Sequence, residues 1–170
     1  MLKLRPYKAC DAKAIVSWIK NETMFYQWSA NCFDHYPLTA QELHAYYDKD
    51  KDNDQNWQMS ACDKRGIVGH LLMRYPDRNQ NTLRFGFVIV DEAKRGNGYG
   101  KEMIQLAIRF AFDIVKADRL TLGVFENNPG EMACYQACGF HEVKQERESY
   151  TFLKESWECI EMELRKEEWL

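Results

Sequence analysis

At 170 residues, with 45% hydrophobic and 14% aromatic side chains, the chain is long enough for one domain with a core of its own, and disorder is excluded. A formal charge of −3, from 23 Lys and Arg against 26 Asp and Glu, argues against a nucleic-acid partner, because phosphate-backbone affinity needs clustered cations. No apolar run approaches a membrane span or a signal h-region, so a soluble cytoplasmic protein with no membrane partner is expected, and six cysteines without a C-x-x-C pair point to reduced thiols with no metal site.

The chain opens with alternation at residues 2–5, stopped by Pro6, after which Asp11 is placed to cap a helix that turns Ile15, Trp18 and Ile19 inward. Residues 22–38 crowd Met24, Phe25, Tyr26, Trp28, Phe33 and Tyr36 together with no sustained period, so this segment either covers the core or lines a pocket. Thr39 and Glu42 fit a capping box, which predicts a second helix with Leu43, Tyr46 and Tyr47 inward. The charged run 48–53 imitates the start of a calcium loop, but Asn53 stands where glycine is required, so it reads as a solvated loop. Residues 57–62 and 67–75 flank Asp63-Lys64-Arg65-Gly66 as an antiparallel hairpin, and a turn at 76–81 follows.

Residues 83–90 form an apolar, β-branched and aromatic run suited to a strand buried on both faces at the centre of a sheet. Beyond Gly100, Met103, Ala107, Phe110 and Ile114 share one helical stripe with Ile104, Ile108, Ala111 and Val115, opposite Glu102, Gln105, Arg109, Asp113 and Lys116. A strand at 120–124 then pairs in parallel with the central one, since a helix separates the two. A short helix follows, and two strands within residues 143–164 complete the order.

Between the central strand and its helix lies Arg95-Gly96-Asn97-Gly98-Tyr99-Gly100-Lys101. Its glycines remove Cβ atoms where a ligand could approach the backbone, and the free N–H groups of the helix start favour an anion, with Lys94, Arg95 and Lys101 adding charge. Phosphate is the natural candidate. Neither a Walker A loop nor a dinucleotide fingerprint fits, because Arg95 and Lys101 occupy places where those patterns need glycine. A tight strand-to-helix turn without a ligand is the competing reading.

The pattern Arg/Gln-x-x-Gly-x-Gly after an apolar strand resembles the acetyl-CoA loop of the GNAT superfamily of N-acyltransferases. Downstream, Asn128-Pro129, Tyr135 and Gly139-Phe140 resemble that superfamily's second signature, Asn-x-x-Ala-x-x-x-Tyr-x-x-x-Gly-Phe. The resemblance implies a single α+β domain over residues 1–170, with a mixed, mostly antiparallel sheet of about seven strands flanked by four helices and splayed at the acetyl-CoA site. It also implies that pantetheine lies against Val88, Ile89 and Val90, that the 95–101 loop takes the pyrophosphate, that Asn128 contacts pantetheine and that the Tyr135 phenol protonates the departing sulfur. Asn128 has a structural reading beside this, as N-cap of the last helix with Pro129 first and Glu131 completing a cap-like pair. Gly130-Glu131 departs from the small residues usual there.

Amine acetylation needs a neutral nucleophile, a polarised carbonyl and a proton for the thiolate. Where many relatives have a carboxylate on the central strand, this chain has Arg84. Glu22, His35 and Tyr26 are candidate bases, and His70 reads as structural. Glu22, Tyr26 and Trp28 are expected to hold the acceptor, with the aromatic faces supporting a cation. The expected activity is transfer of acetyl from acetyl-CoA to a primary amine of a small molecule or protein N-terminus, with a homodimer left open. A coenzyme A-binding sensor or partner module without turnover is the alternative.

Overall fold

The computed structural model describes residues 1–76 and 81–169, so the expected turn at 76–81 lies mostly outside the described residues. β1 (Lys3–Pro6) leads to α1 (Ala12–Ser17), α2 (Glu22–Ser29) and α3 (Ala40–Asp48). The strands β2 (Asn56–Cys62), β3 (Ile67–Arg74) and β4 (Thr82–Val90) follow as an antiparallel meander. α4 (Tyr99–Arg109) crosses to β5 (Arg119–Phe125), and α5 (Pro129–Ala137) precedes β6 (His141–Glu142), β7 (Glu148–Phe152) and β8 (Glu155–Arg165). One sheet runs in the order β1-β2-β3-β4-β5-β8-β6, with β7 on β8, and among the described residues only β4–β5 is parallel. The α+β expectation holds, with eight strands and five α-helices among the described residues rather than seven and four. No described helix is long and apolar enough to cross a membrane.

The additional helix is α2. Asn21 caps it by accepting from the Met24 amide at 2.8 Å, and Phe25, Trp28 and Ser29 face inward at helical spacing. The period is hidden in sequence because Met24 and Tyr26, on either side of Phe25, are apolar or aromatic as well. Ahead of α1, Asp11 does not cap with its side chain; its buried carboxylate instead receives both Arg5 guanidinium nitrogens at 2.7 and 2.8 Å and the Ser60 hydroxyl at 2.9 Å. Thr39 and Glu42 do form the expected capping box.

β4 is central, as expected, and both its faces are covered. Its alternation is broken once: His70 lies opposite Ile89 and Leu72 opposite Gly86, so Phe87 and Val88 share the space facing Leu71. Phe87 takes φ 51°, the conformation of a bulge. The extra residue exchanges the faces. Leu83 and Phe85 belong to the core under α4, with Val88 and Val90 packed against it, whereas Phe87 and Ile89 belong to the cluster formed by α1, α2 and α3. Burial of each large side chain in these layers contributes roughly 1.5–3 kcal/mol.

α4 buries Met103, Ile104, Ala107 and Ile108, as its stripe predicts. Residues Phe110–Val115 then wind as a π-helix, and the wider turn rotates the stripe: Phe112 is fully buried, while Ile114, expected inside, is 68% exposed. Lys116 ends the helix in the left-handed region at φ 66°.

The sheet opens beside β4. β4 and β5 are bridged only where residues 82–84 meet residues 119–121, whereas β5 stays paired with β8 from Arg119 to Phe125. The backbone edge of β4 from residue 85 to 90 therefore faces a gap rather than a strand, with the 95–100 loop at its far end.

Candidate active site

The loop after β4 is shaped by its own backbone. Asp91 accepts from the Ala93 amide at 3.0 Å and starts a 3₁₀ turn over Glu92–Lys94, and the Asn97 side-chain amide donates to the Lys94 carbonyl at 3.1 Å. Gly96 and Gly98 take φ 84° and 74°, and nothing lies within 4 Å of a Cβ added at either. Gly98 is the N-cap of α4 and offers no side chain, so the first amides of that helix are left for another acceptor. The cradle therefore fits a phosphate group.

Two further contacts fix the loop. The Tyr99 hydroxyl donates to Asp63 at 3.2 Å and ties α4 to the β2–β3 turn. Around that tie lies a depression of about 400 Å³, lined among others by Lys64, Arg65, Lys94 and Asn97. At Gly100 an added Cβ would stand 3.6 Å from Cys134 Sγ and 3.9 Å from Val90. The end of β4, the start of α4 and the middle of α5 thus meet at one point, which brings Val88, Ile89 and Val90 together with the loop and Tyr135's helix. Arg95 and Lys101 are exposed at this turn.

On α5, Asn128 stands at the N-cap position with Pro129 behind it but makes no side-chain cap. Its amide instead donates to Glu131 Oε2 at 2.6 Å, and the Tyr135 hydroxyl donates to Glu131 Oε1, also at 2.6 Å. The expected cap-like pair is therefore a side-chain clamp on one carboxylate. Burial pushes the Glu131 carboxyl up to about 7, against the lowering effects of Tyr135's hydrogen bond and Arg95's charge. Burial also lifts the Tyr135 phenol well above its ordinary value, and the Glu131 charge lifts it further. Tyr135 is 3% exposed and packs edge-on against Phe140. Glu131 is not among the site residues expected from sequence, although a spacing of four on a helix places it and Tyr135 on one face.

The acceptor candidates separate. Glu22 is exposed in the first turn of α2, and Tyr26 stacks on Phe152 with ring centroids 4.7 Å apart. Gln27 reaches Asn127 at 3.1 Å, so α2 bridges β4, the β7–β8 hairpin and the approach to α5. Trp28 does not offer the open face expected of it: it is buried, stacked on Phe87 at 4.9 Å and on Phe33 at 6.0 Å. His35 is exposed and paired with Glu42 at 2.9 Å. His70 is fully buried against the Tyr47 hydroxyl at 2.6 Å, the structural position expected.

A helix start with uncapped amides beside a sheet that parts after its central strand fits the acyl-CoA-dependent transferase class that the sequence motifs resemble. The family model described as acetyltransferase (GNAT) domain matches residues 1–141, and the chain belongs to that family: it is an acetyl-CoA-dependent N-acyltransferase. It is 24% identical over 144 residues to the probable N-acetyltransferase YjcK of Bacillus subtilis, covering 82% of this chain and 80% of that one. The spermine/spermidine N(1)-acetyltransferase of B. subtilis is 32% identical over 71 residues, or 41% of this chain and 47% of that one. In fold, the chain superposes on a spermidine N-acetyltransferase from Vibrio cholerae, solved with CoA and spermine, at a TM-score of 0.83 and 19% identity, covering 98% of this chain and 96% of that one.

Proposed function

We propose that the enzyme moves an acetyl group from acetyl-CoA to a primary amine of a small cationic molecule of the polyamine class. The observation that carries this reading is the parting of β4 and β5 between a phosphate-accepting loop and a buried phenol. Pantetheine extended along Val88, Ile89 and Val90 would carry the thioester from the loop toward Tyr135. Gly96, Gly98, Gly100 and the amides beginning at Tyr99 would hold the pyrophosphate, with Arg95, Asn97 and Lys101 around it. Asn128, whose amide nitrogen is held by Glu131, keeps its side-chain carbonyl for a pantetheine N–H.

Tyr135 supplies the proton that the leaving thiolate needs, a contribution of roughly 10²- to 10⁴-fold. On the acceptor side, Glu22 attracts the cation and Tyr26 supports it, with Trp28 holding the floor from behind. The polyamine relatives and the exposed acidic start of α2 support a small cationic amine over a peptide N-terminus. The deciding experiment follows coenzyme A release with a thiol reagent across spermidine, spermine, a simple monoamine and a peptide with a free N-terminus. Turnover highest with the polyamines is expected. Turnover with the peptide alone would reverse the acceptor assignment, and no turnover above thioester hydrolysis with any of them would favour the binding-module reading.

A further inference from the structure

The resemblance that identifies Tyr135 leaves its nearest polar neighbour without a role. Glu131 stands where the family pattern carries a small residue, one helical turn before Tyr135, and its two oxygens are taken by the Tyr135 hydroxyl and the Asn128 amide at 2.6 Å each. Both bonds come from residues expected to serve acetyl-CoA. A carboxylate buried on this clamp is electrostatically unfavourable, which favours its protonated form.

We propose that Glu131 is the positioning residue of Tyr135: its carboxylate holds the phenolic hydrogen away from sulfur, and its carboxylic acid releases that hydrogen and replaces it after transfer. The inference rests on the reading of Tyr135 as the proton donor. A 2.6 Å contact permits a hydrogen bond in either direction. With Glu131 ionised, the phenol donates to the carboxylate and presents only lone pairs to the cleft. With Glu131 protonated, the carboxyl donates to the phenolic oxygen and the phenol O–H is free to point elsewhere. The balance is complete. The carbon–sulfur bond breaks with its pair on sulfur, the phenol O–H breaks as S–H forms, the Glu131 O–H breaks as the phenol O–H re-forms, and Glu131 is left as a carboxylate held by Asn128. Glu131 recovers a proton from solvent, to which the acceptor amine gives one up.

The groups around the clamp agree with this use. Tyr135 and Cys134 face Glu131 from its own helix and Arg95 from the loop, while Lys101 of α4 acts on Cys134 and Cys138. Burial outweighs the lowering contributions, so the carboxyl changes state at about 7, where the switch is useful at neutral pH.

The test compares wild type, Glu131→Gln, Tyr135→Phe and the double variant in kcat from pH 5.5 to 8.5, and follows the side-chain carboxyl of the free protein by carbon-13 NMR. Below pH 7, Glu131→Gln should be roughly tenfold slower than wild type, since it cannot return a proton. The ratio of wild type to variant should collapse above a midpoint of about 7. The double variant should be no slower than Tyr135→Phe alone, and one carboxyl resonance titrating near 7 should vanish in Glu131→Gln. Glu131→Ala, which restores the family's small residue, gives the same readings should the glutamine variant fold poorly. A ratio independent of pH, multiplying losses in the double variant, or a carboxyl titrating in the ordinary range overturns the proposal. Full activity in Tyr135→Phe would instead remove the donor reading beneath it.

Discussion

Arg84 on β4 reaches across β5 to Glu161 on β8, placing one guanidinium nitrogen on each carboxylate oxygen, and the first of these nitrogens also lies 3.3 Å from the Thr121 hydroxyl. The brace sits at the last residue of β4 that pairs with β5, where the gap begins. In the position where relatives have been expected to carry a carboxylate base, this chain has a structural cation fastened to the far strand.

Gly123 is what lets Arg84 cross. A Cβ there would stand 2.9 Å from Cys159 Sγ, closer than real contacts tolerate, and 3.0 Å from Arg84 Nη2, tight enough that the guanidinium must give way. Gly123→Ala is therefore expected to destabilise the protein by about 1–3 kcal/mol through overpacking. The melting temperature should fall by roughly 2–10 °C. A variant as stable as wild type would show that the brace yields freely.

At the other end of the gap, Gly98 holds φ 74° as the N-cap of α4. Asn and Asp are the side chains that visit this conformation most readily, so both substitutions should leave the loop standing. Only Asp places a negative charge where the pyrophosphate is expected, and each lost charge-assisted hydrogen bond is worth roughly 1.5–3 kcal/mol. Calorimetry should show coenzyme A affinity falling at least 10-fold further in Gly98→Asp than in Gly98→Asn. Equal affinities in the two variants would remove the phosphate from this loop.

The parts legible in sequence were those encoded by neighbours along the chain. The apolar strand, the amphipathic start of α4, the glycine spacing and the Thr39–Glu42 cap are all local, and each stands where expected. What was hidden depends on contacts between distant segments or on backbone choices that side chains do not announce. Phe87 has no intrinsic preference for φ 51°; the bulge exists because two helical layers each demand part of one strand. The π-helical turn after Arg109 misled the stripe at Ile114 for the same reason, since a period of 3.6 assumes an unbroken helix. Arg84 and Glu161 are 77 residues apart in sequence, and no spacing rule connects them.

Trp28 was expected to face an acceptor and instead lies between Phe87 and Phe33, with its indole N–H buried and without a hydrogen-bond partner among the described residues. Trp28→Ala should cost about 3–5 kcal/mol through the cavity it leaves. Trp28→Phe should cost less, because the N–H has no bond to lose. Neither should change the acceptor KM of the folded enzyme by more than about twofold. Glu22→Gln, on the exposed turn of the same helix, should raise the acceptor KM up to about fivefold with stability unchanged, the range of an exposed charge pair. An acceptor-specific defect in Trp28→Phe, with none in Glu22→Gln, would reverse the two roles.

His70 is expected to make the fold less stable in acid. It is fully buried, its Nε2 meets the Tyr47 hydroxyl at 2.6 Å, and burial pushes its pKa from 6.5 down to about 3. The folded state therefore refuses a proton that the unfolded state accepts. The group's contribution to stability is fully present above 6.5 and is lost progressively as pH falls toward 3, because there the unfolded chain binds one more proton. Once the pH is well below 6.5, that lone proton steepens the loss by about 1.4 kcal/mol per pH unit. Denaturant melts of wild type and His70→Gln between pH 7 and 4.5 should show this difference in slope, with the variant less stable at pH 7 but less dependent on pH below 6.5. Parallel pH profiles for the two proteins would mean that His70 already carries its proton in the folded state, with Tyr47 as its acceptor.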